Sequence, residues 1–152
     1  MNLRVDLPDE AATLALGARL ARALAPGLNI WLRGDLGAGK TTLTRGALRQ
    51  LGFAGRVKSP TYTLVELYAL SRFNLYHFDL YRFADPDEWH DAGFREYFNA
   101  AGVCLVEWPD KAHGALPAPD LCVDLDILDH GRVARIEAMT EEGRACIARM
   151  DT

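Results

Sequence analysis

Hydrophobic and polar residues alternate near the start of the chain and predict a strand followed by a helix. Residues 2–7 alternate, and Pro8 and Asp9 then favour the start of a helix that runs to about Leu24. The apolar positions of this helix predict one buried face made by Leu14, Leu16, Leu20 and Leu24. Residues 28–32 form a short apolar run, which predicts a buried strand, and residues 40–51 predict a second helix.

The rest of the chain predicts two β-hairpins around a very apolar strand. Runs at 62–70 and 73–81 are separated by two residues, and runs at 121–128 and 132–139 by three. Short helical pieces broken at Pro86 and Gly93 are expected over 84–99, and residues 102–107 predict a strand in the middle of a sheet. A proline-rich loop with a helical turn at 108–119 and a final helix from about 140 to 150 complete the pattern.

These elements predict a fold of the α/β class. We expect a P-loop NTPase-like three-layer domain with a mixed central sheet that includes both hairpins, formed as a single domain over residues 1–152. The net charge of -4 argues against nucleic-acid binding by charge alone. The N-terminal residues lack the apolar core of a signal peptide and no apolar run is long enough for a membrane span, so a cytoplasmic protein is expected. Cys104 and Cys122 lie in apolar runs and are interpreted as core residues in a reducing compartment.

The stretch GDLGAGKTT, residues 34–42, carries the clearest chemistry. It matches the pattern G-x-x-x-x-G-K-[ST] and lies between the predicted strand and helix, as a phosphate-binding loop does. Glycines let successive backbone N–H groups point at an anion, and a helix N-terminus favours phosphate. The lysine is one of only three in a chain with fourteen arginines. Its presence at the required position argues against the alternative, a glycine-rich turn that contains a lysine by chance.

Two acidic residues end apolar runs and are candidates for catalysis. Asp79 and Glu107 each follow apolar strand residues, as a magnesium-linked carboxylate does in many NTPases, and Glu107 fits that pattern better. An ordinary acid at a strand end is the alternative for each. His77, Asp79 and Tyr81 share one face of the strand, which points either at the phosphates or at solvent.

A polar loop and an aromatic residue complete the candidates. Ser59 and Thr61 lie in the loop SPTYT, which either supplies hydroxyls to magnesium or phosphate or is a simple connecting turn. Trp108 either shields the site or packs at the sheet end. The chain lacks the guanine signature N-K-x-D, which favours ATP over GTP.

Four motifs in series, GDLGAGKTTLTRG, SPTYTLVE, HFDLYR and VEWP, resemble the TsaE (YjeE) family of small bacterial ATPases. The resemblance begins in the first helix, where Thr13, Leu16 and Gly17 match a T-x-x-L-G element, and extends to Pro109. It implies a role in forming threonylcarbamoyladenosine in tRNAs that read codons starting with A. The implied partners are a TsaD-type transferase and its TsaB-type companion, with tRNA contacted only indirectly and no membrane involved.

The resemblance also implies roles for individual residues, with ATP and Mg²⁺ as cofactors. Lys40 would hold the β- and γ-phosphates, Thr41 and Glu107 would ligate magnesium, and Asp79 would orient water or complete the outer magnesium shell. Thr13 and the region after Trp108 would lie near the base or ribose. The predicted nucleotide-binding residues are Thr13, Gly34, Asp35, Leu36, Gly37, Ala38, Gly39, Lys40, Thr41, Thr42, Ser59 and Thr61. A small-molecule kinase and a nucleotide-dependent binding module without hydrolysis are the alternatives.

Overall fold

Seven strands form one mixed sheet in the computed structural model, which describes residues 2–58, 60 and 63–150. The strands are β1 (Asn2–Leu7), β2 (Asn29–Arg33), β3 (Val65–Ala69), β4 (Asn74–Asp79), β5 (Gly102–Glu107), β6 (Leu121–Ile127) and β7 (Arg132–Ala138). The helices are α1 (Glu10–Ala23), α2 (Lys40–Gln50), α3 (Asp87–Ala92) and α4 (Glu141–Met150), with 3₁₀-helices at Phe94–Tyr97 and Pro109–Ala112. The predicted order of elements is therefore confirmed.

The strand order places parallel strands at the centre and hairpins at both sides. The order is β1-β7-β6-β2-β5-β4-β3, and the neighbours β6, β2, β5 and β4 run parallel to one another. The antiparallel hairpins β3–β4 and β6–β7 extend this centre outward, and β1 pairs with β7. Because parallel strands end at the same edge, the loop after β2 lies beside the ends of β4 and β5.

Two apolar cores lie on opposite faces of the sheet, which confirms the three-layer prediction. One core joins the sheet to α1, α2 and α4, and its members include Leu16, Leu43 and Ile147. The other lies under the short helical pieces of residues 87–112, where the Phe78 and Trp89 rings are 5.6 Å apart. Pro86 and Gly93 flank α3 as predicted, with Gly93 in the left-handed conformation.

Helices α1 and α2 pack so closely that glycine is required at their contact. A Cβ added at Gly17 would lie 2.1 Å from the Leu43 carbonyl oxygen, and one at Gly46 would lie 2.2 Å from that of Leu14. The predicted buried face of α1 is correct for Leu16, Leu20 and Leu24, whereas Leu14 is only half-buried. The backbone of Leu14 lies against Gly46 of α2. This contact fixes the helix that begins at the candidate phosphate-binding loop.

Candidate functional site

The glycine-rich loop joins the end of β2 to the start of α2, as the motif predicted. Gly37 and Gly39 have φ angles of 83° and 108°, which side chains with a Cβ rarely adopt. Gly39 is the N-terminal cap of α2 and offers no side chain, so no capping hydrogen bond covers the first amides of the helix. Beside the loop, the Arg33 guanidinium donates to both oxygens of Asp124, at 2.6 and 3.0 Å, and ties β2 to β6. The first N–H groups of α2 are therefore available to an anion, and the Arg33–Asp124 pair holds the strand that precedes the loop.

Lys40 is buried at this loop and is held by two groups. The residue is only 6% exposed, and its Nζ donates a hydrogen bond to the Gly34 carbonyl oxygen. The same Nζ lies 4.0 Å from the centroid of the Trp108 ring. Burial lowers the pKa of Lys40, and the carboxylates of Glu107, Asp79 and Asp35 partly oppose that shift. A cation held this way is near carboxylates and within a partly water-excluded site.

Asp79 and Glu107 lie side by side because β4 and β5 are paired in parallel. The two residues are opposite each other in the register, and their exposed fractions are 4% and 3%. The Asp79 Oδ1 accepts a hydrogen bond from the Tyr81 backbone N–H at 2.9 Å. Both carboxylates line a cavity of about 240 Å³ together with Lys40, Thr41 and Trp108. The loop and the two strand ends, separate in sequence, therefore meet in one cavity.

His77 lies on the same buried face and not on a solvent face. Its Nε2 is 2.5 Å from the Glu107 Oε2, and its side chain is fully buried. Strand β4 ends at Asp79, so the predicted extension to Tyr81 is wrong. Tyr81 is instead 41% exposed and packs on Trp108, with ring centroids 5.0 Å apart, because the chain turns where Asp79 accepts its backbone N–H. Of the three residues expected on one strand face, only His77 and Asp79 belong to the strand.

A second cavity lies on the other side of the glycine-rich loop. It has a volume of about 350 Å³ and is lined by Thr13, Gly37 and Gly39, and by Arg132 at the start of β7. The Arg132 Nη2 donates to the Gly37 carbonyl oxygen at 3.2 Å. Thr13 is thus placed against the loop, whereas Trp108 lines the first cavity. Sequence reasoning missed Arg132, because only the pairing of β6 with β7 brings it to the loop.

Two of the predicted site residues are not among the described residues, and the predicted magnesium ligands line one cavity. Ser59 and Thr61 lie outside the described residues. Within residues 2–58, 60 and 63–150, no three His, Cys, Asp or Glu side chains are grouped to hold a metal ion by themselves. A magnesium ion bound with a nucleotide commonly needs only one or two protein oxygens, the rest coming from phosphate and water. Thr41, Glu107 and Asp79 around one cavity fit that requirement.

The chain matches known proteins over most of its length. The sequence model of the family described as "Threonylcarbamoyl adenosine biosynthesis protein TsaE" matches residues 7–136. The chain belongs to the TsaE family. It is 46% identical to the tRNA threonylcarbamoyladenosine biosynthesis protein TsaE of Haemophilus influenzae, over 97% of this chain and 96% of that protein. The TsaE protein of Bacillus subtilis is 45% identical over 77% of this chain and 72% of its own length.

The fold of this TsaE family member also matches a solved structure. The crystal structure of YdiB from Bacillus subtilis superimposes with a TM-score of 0.83 and 32% sequence identity, covering 99% of this chain and 95% of that one. The predicted P-loop NTPase-like fold and the resemblance to the TsaE family are both confirmed. None of the helices in the described part of the chain has both the length and the apolar composition that crossing a bilayer needs.

Proposed function

We propose that this chain binds ATP with Mg²⁺ and hydrolyses it as an accessory subunit in the formation of threonylcarbamoyladenosine in tRNA. The observation that carries the proposal is that Lys40, Thr41, Asp79 and Glu107 line one cavity at the end of the parallel strands. A lysine and a hydroxyl serve the phosphates and their metal ion, and carboxylates serve the metal ion and the attacking water. These are the side chains that phosphoryl transfer to water requires.

The phosphates bind at the loop of residues 34–39 and the first turn of α2. Gly34, Asp35, Leu36, Gly37, Ala38 and Gly39 supply backbone groups, and Lys40, Thr41 and Thr42 supply the amides and side chains of the helix start. Lys40 exchanges the Gly34 carbonyl oxygen and the Trp108 ring for phosphate oxygens. This exchange gives a buried ammonium group an anionic partner, which favours its charged form.

Hydrolysis depends on the two carboxylates and the hydroxyl. Thr41 and Glu107 are the residues that would hold Mg²⁺, which when bound neutralises phosphate charge. Asp79 accepts a hydrogen bond from the attacking water and orients it, or holds a water of the outer metal shell. Its Oδ1 already accepts the Tyr81 N–H, so the carboxylate is held in place before water arrives.

The base and ribose occupy the second cavity, on the side of Thr13. This cavity shares Gly37 and Gly39 with the phosphate site, so one nucleotide reaches both. Arg132 lies at the loop tip and adds a positive charge on that side. ATP is the expected nucleotide because the chain carries no N-K-x-D run.

The names of the relatives, which are tRNA threonylcarbamoyladenosine biosynthesis proteins, support the proposed biological role. The chain acts in the cytoplasm on a TsaD-type transferase and its TsaB-type companion, and it meets tRNA only through them. Ser59 and Thr61 would supply hydroxyl groups to Mg²⁺ or to the γ-phosphate. The net charge of -4 supports a protein docking partner over direct tRNA binding.

The proposal is tested by incubating the pure protein with labelled ATP, alone and with the partner pair. We expect slow phosphate release alone and faster release with the pair, because no group in the described cavity acts as an arginine finger. A pull-down with the pair should depend on ATP. Transfer of label to a metabolite would instead indicate a kinase, and tight nucleotide binding with no phosphate release under either condition would indicate a binding module.

A further inference from the structure

His77 is a fully buried polar residue in a strand whose same-face neighbours are otherwise core or site residues. Strand β4 places Leu75 in the apolar core two residues before His77 and places Asp79 in the cavity two residues after it. The His77 Nε2 lies 2.5 Å from the Glu107 Oε2 on the adjacent strand β5. The register of β4 and β5 brings these two side chains together. The contact joins a buried imidazole ring to a carboxylate that lines the cavity.

The second ring nitrogen of His77, Nδ1, helps to identify the contact that requires a histidine at this position. The His77 Nδ1 is buried and has no hydrogen-bond partner among the described residues. A neutral ring that carries its proton on Nε2 leaves only a lone pair at Nδ1, and its N–H donates to Glu107. An apolar side chain would fill the same space without an unpartnered nitrogen, so the Nε2 contact is the feature that distinguishes histidine here.

Glu107 divides its two oxygens between this contact and the cavity. Oε2 accepts from His77, whereas Oε1 makes no hydrogen bond to the described residues although Glu107 lines the cavity. A glutamate has several side-chain torsions, and one fixed oxygen removes most of their freedom. Carboxylates that bind metal ions are commonly oriented by such outer hydrogen bonds.

We infer that His77 is a positioning residue that holds Glu107 Oε2 through its Nε2–H and so presents Oε1 to the Mg²⁺ of a bound nucleotide. This inference rests on the proposed function, since it requires a Mg²⁺–nucleotide site at the glycine-rich loop. It assigns His77 no contact with the nucleotide. Its loss should therefore weaken the contribution of Mg²⁺ to nucleotide binding while it leaves metal-free nucleotide binding intact.

The test measures the binding of the non-hydrolysable analogue AMP-PNP by calorimetry, with MgCl₂ and with a chelator. The measured quantity is the ratio of the two affinities, in wild type and in His77→Leu, His77→Gln, Glu107→Gln and the double variant His77→Leu/Glu107→Gln. His77→Gln keeps an amide donor near the position of Nε2. Leu75→Val is the matched control, because it loosens the same face of β4 at a residue that pairs with Val103 and not with Glu107.

We expect His77→Leu to lose about 10-fold of the affinity gain from Mg²⁺, as loss of an outer-shell partner commonly does. His77→Gln should recover most of that gain, Leu75→Val should keep it, and the double variant should lose no more than Glu107→Gln alone. If His77→Leu fails to fold, His77→Gln carries the test. A wild-type affinity gain from Mg²⁺ in His77→Gln, together with a reduced gain in Glu107→Gln, supports the inference. A reduced gain in His77→Gln overturns it.

The outcomes separate this inference from the proposed function. If wild type gains affinity from Mg²⁺ and His77→Leu gains as much, the positioning role is wrong while the nucleotide site stands. Equal loss in His77→Leu, His77→Gln and Leu75→Val would mean that His77 acts only in packing, which also overturns the inference. If wild type binds AMP-PNP in neither condition, the proposed function fails and the inference falls with it.

Discussion

The Nζ of Lys40 lies 4.0 Å from the centroid of the Trp108 ring. Trp108 has a φ of 56°, a left-handed conformation that is uncommon for a bulky residue, and it follows directly after Glu107. The contact covers the lysine of the glycine-rich loop with an aromatic face, which attracts a cation. If Lys40 binds phosphate as proposed, nucleotide binding changes the surroundings of both residues.

Tryptophan fluorescence should report this change. We expect ATP with MgCl₂ to shift or quench the emission of the wild-type protein, because Lys40 leaves the ring for the phosphates. Trp108→Phe is the comparison, since Trp31 and Trp89 remain in it. An identical response of wild type and Trp108→Phe would show that the ring does not sense the nucleotide.

Loss of the Lys40 charge should weaken ATP binding. We expect Lys40→Ala to reduce the affinity at least ~10-fold, since a hydrogen bond to a charged group contributes ~1.5–3 kcal/mol. Calorimetry with ATP checks this, and Lys58→Ala, which removes an exposed lysine, is the control. Wild-type affinity in Lys40→Ala would contradict the phosphate-binding assignment.

The carboxylates should separate nucleotide binding from turnover. We expect Asp79→Ala to retain ATP binding and Glu107→Ala to retain metal-free ATP binding, and each to lose ~100-fold or more of the hydrolysis rate, because in the proposed function both act on water or metal and not on the base. Phosphate release under saturating ATP measures the rate, with the exposed Asp129→Ala as the control. Wild-type turnover in both folded variants would remove them from the mechanism.

The contact of α1 with α2 should not tolerate a methyl group. Gly17→Ala adds a Cβ 2.1 Å from the Leu43 carbonyl oxygen, so the helices must separate. We expect a loss of about 1–3 kcal/mol in the free energy of unfolding, even though alanine favours a helix. Urea unfolding measures the loss. Ala15→Gly, an exposed change on the same helix, should cost only ~1 kcal/mol.

The buried cysteines should make stability depend on alkaline pH. Burial raises the pKa of the Cys104 thiol to about 12 and that of Cys146 to about 11. An exposed cysteine has a pKa of ~8.5, so these neutral thiols contribute full stability below that pH and lose it as the pH rises through their folded values. We expect the urea midpoint to fall above about pH 9.

A thiol reagent checks the same point at lower pH. Near pH ~8 the native protein should react slowly with Ellman's reagent, because the buried thiols are neutral. After unfolding, all three free cysteines should react. Rapid labelling of the native protein would mean that these thiols are accessible. In the double variant Cys104→Ala/Cys146→Ala, the urea midpoint should fall less at alkaline pH than in wild type.

Local patterns in the sequence were enough for the elements and for the central motif. The run of residues 34–42, the alternation in the two hairpins and the apolar run of β5 all predict structure from neighbours a few positions apart. Backbone torsions and side-chain direction repeat over two to four residues, so these features are visible along the chain. The four motifs in series also identified the family, which the comparisons with known proteins confirmed.

Only the tertiary structure determined how distant residues meet at the site. The sequence presented Asp79 and Glu107 as separate strand ends, and the parallel register of β4 and β5 placed them opposite each other. The same register places His77, which the sequence allowed to face solvent, in a buried contact with Glu107. The β6–β7 hairpin places Arg132 at the glycine-rich loop. Strand order and register depend on the packing of both sheet faces over the whole chain, and no local pattern contains that information.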